Sequence, residues 1–244
     1  MTSGQSNQPK ECCKTLTRRE REIENRKQLI LDAATQVFRG KCVGQATMGE
    51  IASVAELSKG TLYLYFKSKE DLLLALANRM LDQVFDACMA ANKENIHQQA
   101  TDRFAAMLLA YADVVQSNED QFRAMVAKLT LGTPEDVESP EFLGHRERVS
   151  RVMNLLMEVL REGHRDGSVQ ATLDPVGTAL EAWGGLVGVL LISFNFEHVQ
   201  RRVPDQIASN NLVSPFVSIF TRGLRDASLD TRARHEVSRI GSSS

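Results

Sequence analysis

The segment TMGEIASVAELSKGTLYLYF, residues 47–66, constrains this chain more than any other stretch. Thr47 can cap a helix, and Glu50 three positions on completes a capping box. The hydroxyl accepts from a free amide of the first turn, while the carboxylate reaches back to the amide of the cap. Met48, Ile51, Ala52 and Ala55 then supply one apolar face. A short break at Glu56 and Leu57 leads to Ser58, a second cap, and to a third helical segment through about Tyr65. Leu62 and Phe66 are its expected buried positions, with Leu57 packing at the turn. Two short helices separated by about three residues, with a small residue in the first, form the helix-turn-helix pattern.

The flanks are helical too. From Glu22 onward, Ile23, Leu29, Ile30, Ala33, Ala34, Val37 and Phe38 recur at helical spacings and predict an amphipathic helix. Ser68 caps a long helix carrying Leu72, Leu73, Leu76, Met80 and Phe85 to about Asn92. Further helices fit Thr101–Gln116, Glu119–Leu131, Pro140 to about Asp166 before Gly167, and Asp174–Pro175 through Phe196. Ser214–Pro215 either opens the last helix, to about Arg225, or interrupts one starting near Pro204. No stretch alternates with period two. The expected fold is all-α, with about nine helices. Residues 1–20 and 226–244 lack apolar periodicity and read as a disordered arm and tail.

The second short helix, SKGTLYLYF, has the chemistry for docking on DNA. Lys59 and Thr61 near its start can reach base edges or phosphates. Gly60 admits close approach of the backbone, and Tyr63 and Tyr65 can offer hydroxyls to phosphate. Lys67 and Lys69 bring positive charge to the next helix start, and Thr47 stands at the start of the helix before. Charge distribution agrees: residues 1–70 hold 12 Lys+Arg against 8 Asp+Glu, and residues 71–244 hold 17 against 23. A basic head on an acidic body suits a protein that docks one end on a polyanion.

LILDAATQVF, Thr47-Met48-x-x-Ile51-Ala52, and Ser58-Lys59-Gly60-Thr61-Leu62-Tyr63-x-Tyr65-Phe66-Lys67-Ser68-Lys69-Glu70-Asp71-Leu72 together resemble the TetR-type (TetR/AcrR) regulators, from about Glu24 to Val84. The resemblance implies a three-helix DNA-binding head over 24–84, with its helix-turn-helix at 47–66. It implies a helical domain over 85–225 that binds a small molecule, and dimerisation through the last two helices. The candidate DNA contacts are Thr47, Ser58, Lys59, Gly60, Thr61, Tyr63, Tyr65, Lys67 and Lys69. Two positions depart from the pattern. Cys42 and Glu56 stand where the family has glycine, and a non-glycine residue in a left-handed turn costs about 1 kcal/mol.

Beyond residue 84 the chain is less explicit. Phe104, Met107, Tyr111, Phe122, Met125, Met153 and Trp183 combine thioethers and aromatic rings that suit an adaptable apolar pocket, although such residues also make ordinary core. WGGLVGVLLISFNF, residues 183–196, is apolar on every side, and its glycines permit close helix approach. Leu186, Val189 and Leu190, with Phe216, Ile219 and Phe220 of the final helix, are therefore the expected two-fold interface. At 14 residues this stretch is short of the about 20 that a bilayer requires, so it reads as a buried helix and not a membrane span. The polar N-terminus lacks the apolar core of a signal peptide, which points to the cytoplasm.

Cys12, Cys13, Cys42 and Cys88 have no metal-ligand spacing, the five histidines are scattered, and no cofactor fingerprint occurs. Glu158 and Glu162 share a helix face without the Glu-x-x-His repeat of a di-iron site. An enzyme is thus disfavoured. The sequence points to a regulator, a repressor by preference, that binds a palindromic operator as a dimer and is released by a mostly apolar effector. The remaining alternative is a DNA-binding protein governed by a protein partner or by nothing.

Overall fold

The computed structural model describes residues 17–40, 44–131, 139–201 and 211–225. Most of the expected arm, Cys12, Cys13, Cys42, residues 132–138, Pro204 and the expected tail lie outside them. The described residues form helices and connecting turns and divide into two compact units, at Lys67 and Ser68.

The first unit holds α1 (Arg18–Gly40), α2 (Met48–Val54) and α3 (Lys59–Tyr65). α1 starts earlier than its apolar pattern, inside the stretch expected to be disordered. The reason is a second capping box. The Glu20 carboxylate accepts from the Thr17 amide at 2.7 Å, and the Thr17 hydroxyl accepts from the Glu20 amide at 3.3 Å. Ile30, Ala33, Ala34, Val37 and Phe38 are buried as their spacing predicts, and Leu31 is buried with them. Ile23 and Leu29, counted on the same face, are 41% and 54% exposed.

The second unit begins with α4 (Lys69–Glu94), capped by Ser68, and continues with α5 (Ala100–Ser117), α6 (Glu119–Leu131) and α7 (Pro140–Asp166). α8 (Pro175–Phe194), the five-residue α9 (Phe196–Gln200) and α10 (Val213–Leu224) complete it. α4 packs along α5 and α7, and the division between the two compact units falls at its first turn. Asn78 explains part of that attachment. Its amide donates to the Glu141 carbonyl at 2.9 Å, and its oxygen lies 3.0 Å from His145 Nδ1. Arg148 on α7 adds a two-oxygen contact to Asp82 on α4, at 2.9 Å to each oxygen.

α7 ends at Gly167, whose φ of 77° is the left-handed conformation glycine adopts without steric cost. Pro215 lies in the first turn of α10, so it opens that helix and does not interrupt it. The connection between α7 and α8 is tied to the end of α10, where the Gln170 amide donates to the Leu224 carbonyl at 2.9 Å.

Candidate nucleic-acid interface

The turn between α2 and α3 is built by two caps and one strained residue. At α2, the Thr47 amide donates to the Glu50 carboxylate at 2.9 Å, and the Thr47 hydroxyl accepts from the Glu50 amide at 3.3 Å. At the other end, the Leu57 amide donates to the Ala52 carbonyl at 2.9 Å and the Glu56 amide to the Ser53 carbonyl at 3.1 Å. Those two bonds define a Schellman stop, whose penultimate residue must be left-handed. That residue is Glu56, with φ of 55°, as its departure from glycine anticipated. Ser58 then restarts the helix by accepting from the Thr61 amide at 3.0 Å.

Burial orients α3. Leu62 is fully buried and Phe66, just past the helix, is 1% exposed. The Lys27 ammonium sits 5.9 Å from the centre of the Phe66 ring. At about 100° per residue, the face opposite Leu62 runs through Gly60 and Leu64, with Tyr63 and then Lys59 beside it. Lys59 and Gly60 are exposed, Tyr63 is 42% exposed and Leu64 is 83% exposed.

The candidate contacts therefore separate into groups. Gly60 lies on the outward face of α3, and Tyr63 and Lys59 are exposed along its flank. Thr61 and Tyr65 are half-buried at its flank, and Lys67 is exposed beyond its end. The hydroxyls of Thr47 and Ser58 are engaged in capping, and the Thr61 hydroxyl lies 2.8 Å from that of Ser58. These three already have structural work that explains their presence. Lys69 is the first residue of α4, in the second unit.

Sequence reasoning missed two features of this unit. One is Leu64, passed over because a leucine in a helix is read as core by default. The other is an open groove of about 460 Å³ in which Arg19, Arg26, Ile23 and Leu29 of α1 meet Tyr65. The basic run TRRERE carried a signal for it, but only the early start of α1 turns that run into a groove wall.

In the second unit, all seven candidate ligand residues fall in one apolar cluster. Phe104, Met107 and Phe122 are completely buried, Tyr111 and Met125 nearly so, and Met153 and Trp183 pack against them. The Trp183 indole N–H donates to the Tyr111 hydroxyl at 3.2 Å. Burial pushes the Tyr111 phenol up to about 12. The two carboxylates considered for catalysis are bound up in ion pairs, Glu162 with Arg103, and Glu158 with Arg161 and Arg165.

The expected interface residues need correction. Leu186 and Leu190 are completely buried within the chain itself. With Thr178, Ala179 and Ala182 they form the inward stripe of α8, so they cannot also meet a second copy. Val189 lies beside that stripe and is half-buried. Gly185 serves α10, because a Cβ there would stand 2.6 Å from the Phe216 ring. Phe216 and Phe220 are half-buried, whereas Ile219 is 65% exposed. The outward apolar residues of α8 are Val176, Leu180 and Ile192.

Comparison with known proteins places this architecture. Residues 30–76 match the profile of the bacterial regulatory proteins, tetR family. The fatty acid metabolism regulator protein of Bacillus subtilis is 28% identical over 149 residues, which span 59% of this chain and 71% of that protein. The transcriptional regulator QacR of Staphylococcus aureus is 43% identical over 54 residues, covering 22% of this chain and 29% of its own. In three dimensions, FadR from Bacillus subtilis, crystallised in complex with stearoyl-CoA, superposes with a TM-score of 0.60 at 21% identity. That match covers 81% of this chain and 99% of FadR. The capped helix-turn-helix and these likenesses lead to one conclusion: residues 30–76 are a tetR-type DNA-binding head, and the chain is similar over more than half its length to bacterial transcriptional regulators.

Proposed function

We propose that the protein is a cytoplasmic repressor that grips a palindromic operator as a homodimer and leaves it when a mostly apolar small molecule enters the second unit. The observation carrying this reading is the exposed surface of α3, where Gly60 faces away from fully buried Leu62 and Tyr63 and Lys59 are exposed beside it. A single short helix reads few base pairs, at about 1–3 kcal/mol for each good contact, so specificity requires two heads. The second copy is supported by α8 and α10, which leave Val176, Leu180, Ile192 and Ile219 exposed. α8 is also long and apolar enough to cross a membrane, with mean hydropathy 1.6 over 18 residues. Its inward stripe of Thr178, Ala179, Ala182, Leu186 and Leu190 favours a core helix with one face given to the partner.

The effector's class follows from the cluster of Phe104, Met107, Tyr111, Phe122, Met125, Met153 and Trp183, whose rings and thioethers can re-pack around an apolar chain. A long-chain acyl thioester is the first candidate, because a relative of this fold was crystallised with stearoyl-CoA. Release is a population shift: the effector favours a dimer geometry whose heads miss a half-site repeat of about 34–36 Å.

The test is binding of purified protein to genomic fragments, including its own upstream region, across salt and with added acyl-CoA. Tight, salt-sensitive binding to a palindrome, relieved by the acyl-CoA, is expected. Binding untouched by any acyl-CoA sinks the proposed effector class, and absence of sequence preference sinks the operator.

A further inference from the structure

We infer that Leu64 reads the C5 methyl of a thymine in the major groove, making it a specificity-determining residue of the recognition helix. This rests on the proposed docking of α3 and adds the chemistry by which one base is chosen. At 83%, Leu64 is the most exposed of the large hydrophobic residues described. An isobutyl group standing in water on a seven-residue helix contributes nothing to the head's core, which Leu62 and Phe66 fill from the opposite side.

Gly60 gives the second observation. It is the second residue of the helix and lies one helical turn before Leu64 on the same face. No packing requires it. A Cβ there would meet only the Ser58 hydroxyl, at 3.8 Å. Bare backbone at Gly60 beside an exposed branched side chain makes a notch of helix surface, with Lys59 and Tyr63 on its flank to hold the phosphate backbone. The one apolar group that base pairs display in the major groove is the thymine methyl. A leucine in this place has no hydrogen bond to offer, so it selects by contact with that methyl and by leaving a cytosine amino group without a partner.

The experiment uses the full-length protein and a duplex selected by it from a random-sequence library. Each thymine of the selected site is then replaced singly by deoxyuridine, which removes only the methyl. One thymine per half-site is expected to respond, with binding weakened about fourfold per half-site and about sixteenfold when both are replaced, as for loss of one buried methyl-sized contact. Leu64→Ala is expected to weaken binding to the unmodified duplex at least as much. It should also be indifferent to deoxyuridine at that position, with its melting temperature unchanged. Gly60→Ala should weaken binding without loss of helix content.

Wild-type protein that selects a site yet ignores every deoxyuridine overturns the inference and leaves the operator reading intact. So does a Leu64→Ala protein that keeps the wild-type response. Gly60→Ala protein that binds as tightly as wild type overturns the notch. If the wild-type protein selects no sequence at all, this inference falls together with the reading on which it rests.

Discussion

The two units are held together by different physics. In the head, α2 and α3 are seven residues each, too short to persist alone, and each is started by a side-chain cap. The stop between them depends on hydrogen bonds spanning five residues or fewer. The second unit uses helices of up to 27 residues whose partners lie far away in sequence, as with Asn78 and Glu141 or Gln170 and Leu224. A head written in local bonds exposes its candidate contacts on one helix face. A body written in remote contacts holds its candidate ligand residues in a core that looks like any other.

That contrast can be broken experimentally. The largest effect is expected from Lys59→Ala with Tyr63→Ala. With about 1–3 kcal/mol per contact and two heads, operator affinity should fall at least about 100-fold, with the thermal melt unchanged. A parallel loss of stability in the melt would mean that these residues support the fold.

Gly163→Ala tests the body. A Cβ there would lie 2.3 Å from Val169 Cγ2, so something must shift. Overpacking of this kind costs about 1–3 kcal/mol. The denaturation midpoint should drop, while operator affinity measured well below it stays within about twofold of wild type. Reduced affinity without reduced stability would make this packing part of the allosteric path.

Alkali should also strike the body. The Tyr111 phenol is raised to about 12 from 10.0 and the Cys88 thiol to about 12 from 9.0, both by burial. Below pH 9 folded and unfolded chains hold both protons, so that stability is fully present. As pH climbs toward about 12 only the unfolded chain ionises, and stability drains away. Urea unfolding at pH 8 and pH 11 should show a loss of about 1 kcal/mol traceable to Tyr111, because one unit separates pH 11 from the unfolded value of 10.0, at 1.36 kcal/mol per unit. The pH-dependent loss should be smaller in Tyr111→Phe, and an equal loss in that variant would refute the assignment.

The smallest effect belongs to the turn. Glu56→Gly relieves a left-handed conformation at φ of 55°, a gain of up to about 1 kcal/mol, offset in part by greater freedom of the unfolded chain. Amide exchange at Ala55–Leu57 should slow slightly. Faster exchange there would show that the Glu56 side chain supports the turn.

Much of the head was legible because its signals are local. Thr47 with Glu50, Ser58, and the buried Leu62 and Phe66 all stand where the pattern put them. The misses have physical causes. Leu64 is apolar yet faces outward, which burial decides and hydrophobicity does not. Leu186 and Leu190 were assigned to a partner because α8 is apolar all round, and such a helix gives no periodicity from which to choose a face. The start of α1 was missed because its capping box lies ahead of Ile23, where the apolar pattern begins.

The sequence by itself determined the helical class, the caps, the left-handed turn at Glu56 and the tetR-type pattern of the head, since each is set by residues within a few positions of one another. Only the tertiary structure decided that α4 packs with the body, that Gly185 makes room for Phe216, and which residues of α8 stay exposed. The reason is that a helix's own spacing defines its faces, while the neighbours that cover them come from residues far along the chain.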